Sequence, residues 1–356
     1  MRRFEDMKSA IEVLSKGKNK IIYDDIDAPS VMVVIEKDTS ANVGASSSTD
    51  THPAFILDGT TLDKVYMSKF INIVANNRAY SLPYEDPRAN ITWDTADAVC
   101  RAKGANWGLT PNALWAFVAH RSRKNGTMPR GSNNNRGGDN YVPSETAESV
   151  DPTRTAHGRT YTGSGPDTWN DDHTPFGITD LNGNVTEWVG GVRQVKGEIN
   201  VIPYANCITT STDNMSASGA AWKAINVAGN FINPGTEGAL KYDIVSGKLT
   251  LGVTAPVTTT DGGWYLWKNA VTKTDAVTAG AELNYMIDMA LYPTGTLDDY
   301  LGMGLWLSPT RTETMCDRGG HWDYGAFAGV FYAFFGDARS FSGYNFGFRS
   351  VYYGTL

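Results

Sequence analysis

RGGHWDYGAFAGVFYAFFGDARSFSGYNFGFRSVYY, Arg318 to Tyr353, is the stretch least like an ordinary globular sequence. Thirteen of its 36 residues are aromatic, against 11% for the whole chain. It holds seven of the 13 phenylalanines, and Gly, Ser, Asp and Asn interrupt it every few residues. Its Phe and Tyr follow neither the period of two of a half-buried strand nor the helical period of 3.6. From His321 to Ser350 there is no Lys, Glu, Gln, Met, Leu or Ile, so aliphatic core formers are missing along with most surface charges. Aromatics set among small flexible residues resemble a paratope, where rings supply rigid contact area and Gly, Ser and Asn supply adaptable backbone. The competing reading is a β-rich interior filled by Phe, since large apolar residues are commonly buried. The missing aliphatics favour a binding surface.

Outward from that stretch, 356 residues with 41% hydrophobic and 19% charged content make a globular chain with one large core or two ordinary ones. A net charge of −7, with no Lys/Arg block, argues against a nucleic-acid surface, which needs a basic stripe to neutralise phosphates. Cys100, Cys207 and Cys316 are widely spaced, odd in number and form no CxxC, so neither a disulfide framework nor a zinc site is signalled. MRRFEDMKSAIEVLSKGKNK (Met1 to Lys20) starts positive but lacks the continuous apolar region of a signal peptide, and no later run reaches membrane-spanning length. Cytoplasmic synthesis without membrane insertion is expected.

Residues 1–51 read as an N-terminal extension and linker. Met7, Ile11 and Leu14 mark a short helix, Val31 to Ile35 an extended run, and Ser40 to Thr51 a Ser/Thr-rich loop. The main domain is expected from His52 to the end. Thr92 can cap a helix over Trp93 to Arg101; Thr110 can cap a second, with Pro111 at its first position, Gly126 after it, and Leu114, Trp115 and Val118 on one face. Gly131 to Asp172 is a long polar stretch of the kind ordered by ions or packing. Residues 189–310 read as a β-rich insertion, with KLTLGV (Lys248 to Val253) and GWYLWKN (Gly263 to Asn269) as strands. The class is α+β.

GITDLNGNVTEWV, Gly177 to Val189, places Asp180, Asn182, Asn184 and Glu187 in a tight turn, a set of hard oxygen donors of the type calcium takes. It is not an EF-hand, because Val185 stands sixth from Asp180 where Gly is needed and Glu187 comes eighth instead of twelfth. The other reading is that these side chains satisfy turn backbone, as Asn and Asp commonly do. Asp171-Asp172-His173 is the only local acid/His cluster, and polar clusters of this kind are usually solvated loop.

ITWDTADAVCRAKG (Ile91 to Gly104), WGLTPNALWAFVA (Trp107 to Ala119), DLNGNVTEWV (Asp180 to Val189), RGGHW (Arg318 to Trp322) and GFR (Gly347 to Arg349) occur in that order. Together they resemble the formylglycine-generating-enzyme (sulfatase-modifying factor) type of the C-type lectin fold, from about residue 55 onward. The resemblance implies structural calcium held by Asn184, the backbone of Val185, and Glu187. The enzymes also carry a reactive cysteine pair between RGG and GFR, and this chain has none there. A redox cofactor and an enzymatic role are therefore not expected. A divergent oxidase is the weaker alternative.

A second branch of the same fold, the variable proteins of diversity-generating retroelements, is more similar. Its phage members include tropism determinants, and its segment between RGGxW and GFR is rewritten by adenine-directed mutagenesis of template codons, many of them AAY. Such codons yield Asn, Asp, His, Tyr, Phe, Gly and Ser among others but never Lys, Glu, Gln, Met or Trp. The segment obeys this rule except at Trp322, which belongs to RGGxW. The diversified, ligand-binding positions implied are His321, Asp323, Tyr324, Phe327, Phe334, Phe335, Gly336, Asp337, Phe341, Gly343, Tyr344, Asn345 and Phe346, within a variable segment 318–353. Arg318, Arg339 and Arg349 are expected to be structural, paired beneath the surface. The implied role is receptor binding from a phage tail: a host cell-surface protein or glycan as partner, a virion location, and an N-terminal extension that attaches or forms a homo-oligomer. A fixed-specificity lectin-like or structural virion protein, or a bacterial cytoplasmic or cell-surface location, is the alternative.

Overall fold

The computed structural model describes residues 2–134, 137–151, 153, 157–277 and 283–356, and the side chains of residues 8 onward within them. Two sheets dominate. The smaller has five strands in the order Asn19–Tyr23, Pro29–Glu36, Lys64–Ser68, Ser350–Tyr352, Trp107–Leu109, each antiparallel to its neighbour. The larger has twelve. Its path runs Gly263–Leu266, Gly304–Leu307, Gly329–Asp337, Thr314–Gly319, Thr186–Val195, Glu198–Val201, then on through Lys241–Val245, Lys248–Gly252 and Val271–Lys273. Three pairs are parallel, among them Gly304–Leu307 with Gly329–Asp337, and Phe346–Phe348 with Thr186–Val195. The protein is mixed, mostly β, with few helices.

Helix α1 spans Arg2–Leu14, α2 Trp93–Arg101 and α3 Asn112–Asn125. Thr92 caps α2, its hydroxyl accepting from Thr95 N at 3.1 Å. Pro111, not Thr110, is the cap residue of α3, while the Thr110 hydroxyl donates to the Arg349 carbonyl at 3.0 Å. Gly126 closes α3 at φ 69°, a left-handed conformation that glycine adopts without penalty. α3 is buried all round from Asn112 to His120, so the one-sided apolar face expected from Leu114, Trp115 and Val118 gives way to a central helix between layers.

Residues 1–51 are not an appendage. Pro29–Glu36 pairs with Lys64–Ser68 from Met32↔Ser68 to Glu36↔Lys64, and Val33 and Ile35 enter the main core. The Ser40–Thr51 loop packs too, with Val43 and Ala45 in that core and Ser46 N donating to Asp288 Oδ1 at 3.1 Å. Extended backbone needs a partner for its peptide groups, and this segment finds one within the same domain. The β-rich region 189–310 is likewise continuous with the larger sheet through Thr186–Val195 and Glu198–Val201.

Candidate ligand-binding face

Strand Gly329–Asp337 divides the aromatic stretch between two environments. Phe331, Ala333 and Phe335 point into the main core, each 1% exposed or less, while Tyr332 and Phe334 take the other side. This is the period of two that the residue types conceal, because aromatic side chains occupy both faces. Trp115 Nε1 of α3 donates to Val330 O at 2.8 Å and Trp267 Nε1 to Phe331 O at 2.8 Å, fixing the strand from beneath.

On the outer side, register aligns Trp264 with Trp306, Trp306 with Phe334, and Phe334 with Asp317 across four adjacent strands. Directly opposed residues in a sheet project to the same face. Ring centroids lie 4.8 Å apart for Trp306 and Phe334 and 5.7 Å for Trp264 and Phe334. Trp264 also meets Tyr324 at 6.0 Å, Phe327 at 5.5 Å and Tyr332 at 5.1 Å, making it the hub of the patch. The Phe334 ring lies over Gly336, 2.2 Å from where a Cβ would stand, so a side chain there would have to displace the ring.

Loops complete the face. Phe327 and Phe341 are each 41% exposed and Tyr344 59% exposed. Asp323 is exposed; His321, Tyr324, Phe334, Asp337, Gly343 and Asn345 are partly so. His321 stacks close to Tyr324, with centroids 3.8 Å apart, and burial pulls its imidazole down to about 4, so it is neutral at neutral pH. Trp322, 3% exposed, is anchored against Ile71 and Val185, and its backbone N–H donates to Asn184 O at 3.2 Å. Gly343 O and Asn345 O accept from Asn90 N and Thr186 N, tying the last loop to the scaffold.

Three of the thirteen implied positions are off the face. Phe335 is fully buried, Gly336 is covered by Phe334, and Phe346 packs in a second core cluster against Trp188 at 4.8 Å. Four residues that sequence reading did not assign to the site are part of it or directly below it: Trp264, Trp306, Tyr332 and Asp317. Trp264 and Trp306 come from strands well before Arg318, and Asp317 stands immediately before it. Only strand register brings them there; the sole trace in the sequence is the Trp in each of GWYL and GLWL.

Asn184, Val185 and Glu187 do not converge on a cation site. Glu187, 1% exposed, accepts from Arg349 Nε through both oxygens, at 3.0 and 2.8 Å. The Asn184 amide is taken by Thr160, donating to its carbonyl and accepting from its N–H, both at 3.1 Å. A calcium ion at Glu187 would face the guanidinium, so the donor set does not fit the metal. No group of three or more His, Cys, Asp or Glu placed to hold a metal occurs among the described residues. The donors of this turn satisfy backbone and the buried arginine instead.

All three expected arginines are structural. Arg349 also donates to the carbonyls of Lys69 and Thr179, at 2.8 and 2.6 Å, and Arg318 is spent on Asn112 Oδ1 and the Met289 and Ala290 carbonyls. Arg339 bridges Glu313 and Asp94. In the Asp171-Asp172-His173 cluster, Asp171 pairs with Arg121 at 2.7 Å, Asp172 with Lys18 at 2.9 Å, and His173 Nε2 meets Met128 O at 3.3 Å. Cys316 is buried and its thiol is pushed up to about 12 by burial.

No family model matches the chain, and no curated protein matches it. Among solved structures it is similar to the Major Tropism Determinant U1 Variant at 12% identity and a TM-score of 0.31. The match covers 90% of this chain and 62% of that one, a likeness too slight to carry a fold or a function across.

Proposed function

We propose that this chain is a non-enzymatic ligand-binding protein of the retroelement-diversified type, built on the C-type lectin fold of the formylglycine-generating-enzyme kind. Its C-terminal segment would grip a host surface molecule from a phage tail. The observation that carries the reading is the split of Arg318–Tyr353 into a fixed inner side and an open outer one. Arg318, Trp322, Phe331, Phe335, Phe348 and Arg349 are buried and tied to the scaffold. Phe327, Phe341 and Tyr344 project apolar rings to solvent with no core of their own. A monomer gains nothing from such a cluster unless something covers it. Side chains here can change while the packing below stays intact, which is what a diversified receptor binder requires. The high thiol pKa of Cys316 supports a binding role over thiol chemistry, because the thiolate is the reactive form.

The test has a genetic and a physical arm. Sequencing the 3′ end of the gene across a source population should show substitutions confined to AAY-derived codons, concentrated at His321, Asp323, Tyr324, Phe327, Phe341 and Tyr344. Purified protein should bind host cells, and Tyr344→Ser together with Phe341→Ser should abolish that binding without lowering the melting temperature appreciably. An invariant segment, with binding untouched by the double variant, would overturn the proposal.

A further inference from the structure

We infer that the face takes a cationic group, a lysine or arginine side chain of a protein partner, among Trp264, Tyr324, Tyr332 and Phe334, with Asp317 as its counter-charge. The inference rests on the ligand-binding reading above and specifies the chemistry of the partner.

Asp317 is the anomaly of the aromatic row. It stands in register with Phe334 on the outer side of the sheet, yet it is 0% exposed because rings cover it. One carboxylate oxygen accepts from the Thr186 hydroxyl, the Tyr332 phenol lies beside the group, and Oδ2 has no hydrogen-bond partner. A buried polar atom left unpaired is costly, and among the described residues Asp317 Oδ2 is the one such atom on this face. The adjacent guanidinium cannot serve, since Arg318 is engaged toward Asn112, Met289 and Ala290.

The charges around the patch point the same way. Asp337 lies toward Asp317 and Tyr324, and Asp323 toward His321. The nearby arginines are engaged: Arg311 by Asp261 and the Gly336 carbonyl while lying over Trp306, Arg339 by Glu313, Asp94 and the Met215 carbonyl, and Arg159 by Asp86 and the Tyr344 carbonyl. His321 is neutral at neutral pH. What remains is a group of π faces over an unpaired acid, the arrangement that attracts ammonium and guanidinium ions. A glycan hydroxyl can donate to Oδ2 as well, but only a cation also brings the opposite charge and the attraction to the surrounding ring faces. Tyr324 covers Tyr332 from a turn rather than a strand, at 5.6 Å, so access to Asp317 requires that ring to move. Burial pushes the Asp317 carboxyl up, and an opposite charge brought against it restores the ionised form. Phe327, Phe341 and Tyr344 extend the contact area beyond one ammonium group, as a protein partner needs.

The full chain can be titrated with n-butylammonium and n-butylguanidinium, with n-butanol and methyl β-glucoside as neutral controls at equal ionic strength. Indole N–H resonances of Trp264 and Trp306 and tryptophan fluorescence report binding. The expected result is a preference for the cations over butanol on the order of tenfold, lost in Asp317→Asn and reduced severalfold in Tyr324→Leu. Equal responses to butanol and butylammonium, or a folded Asp317→Asn that binds the cation like the parent, would overturn the inference. A response to the glucoside alone would also overturn it and assign the face to glycans. Should Asp317→Asn fail to fold, the wild-type preference and Tyr324→Leu decide. Host-cell binding separates the two levels: if the Tyr344→Ser, Phe341→Ser double variant loses cells while the parent ignores cations, the binding role stands and the cation falls; if the double variant keeps cells and the segment is invariant, the binding role itself falls.

Discussion

Replacing Phe335 by Ala, and separately Tyr344 by Ala, tests whether one segment serves packing on one side and recognition on the other. Phe335 is 0% exposed within the main core, so its truncation removes a full aromatic contact set and leaves a cavity, costing about 3–5 kcal/mol. Tyr344 is 59% exposed, so only two-fifths of its surface is at stake, and full burial of a large side chain is worth about 1.5–3 kcal/mol. Its loss should cost roughly 1 kcal/mol. Urea unfolding followed by tryptophan fluorescence and by far-UV circular dichroism gives both values, provided the two probes coincide. The two variants should differ by about 2–4 kcal/mol, with Tyr344→Ala the milder and the one that loses ligand. Equal destabilisation, or a silent Phe335→Ala, would refute the division of the segment.

Arg349→Leu should cost about 3–5 kcal/mol by stranding the Glu187 carboxylate, and Glu187→Leu added to it should recover much of that loss; a double variant as unstable as the single would refute the pairing argument. Calcium should leave the thermal midpoint unchanged and chelator should do the same, since Glu187 and Asn184 are already engaged; a midpoint rising with calcium concentration, as native-state binding demands, would contradict this. His52 is a neutral Nε2–H tautomer, its Nδ1 accepting from Ala54 N while Nε2 donates to Asp288 O, and burial lowers its pKa from 6.5 to about 3. Between those values the unfolded chain binds the proton and the folded one does not, so stability contributed by this residue falls as pH drops through that window, by about 1.4 kcal/mol per unit. His52→Gln should flatten the acid limb of a stability–pH curve by that slope; an unchanged limb would refute it.

The helices were legible because their punctuation is local. Thr92 before Trp93 and Gly126 after Asn125 act within one turn, whatever the rest of the chain does. The N-terminal strands were misjudged because their partner, Lys64–Ser68, supplies a pairing and not a pattern; nothing in Pro29–Glu36 says whether its edge is met by this domain or another molecule. The alternation in Gly329–Asp337 was hidden because hydrophobic-in, polar-out is the usual code, and here Phe331 and Phe335 face in while Tyr332 and Phe334 face out. Trp264 and Trp306 escaped for a similar reason. Their place beside Phe334 is a matter of register across strands that lie 28 to 70 residues apart in the chain.

The strand Ser350–Tyr352 sits inside the smaller sheet, with Met67 opposite Val351 on one side and Gly108 opposite it on the other. A ribosome must therefore read through the whole of Arg318–Arg349, in frame, before the two halves of that sheet can be joined. A copying error that shifts the frame or stops translation within the stretch leaves two unpaired edges in a chain that cannot close. Substitutions pass and truncations do not. The fold thus tolerates substituted chains and rejects unfinished ones, since only a chain read to its end can close the smaller sheet.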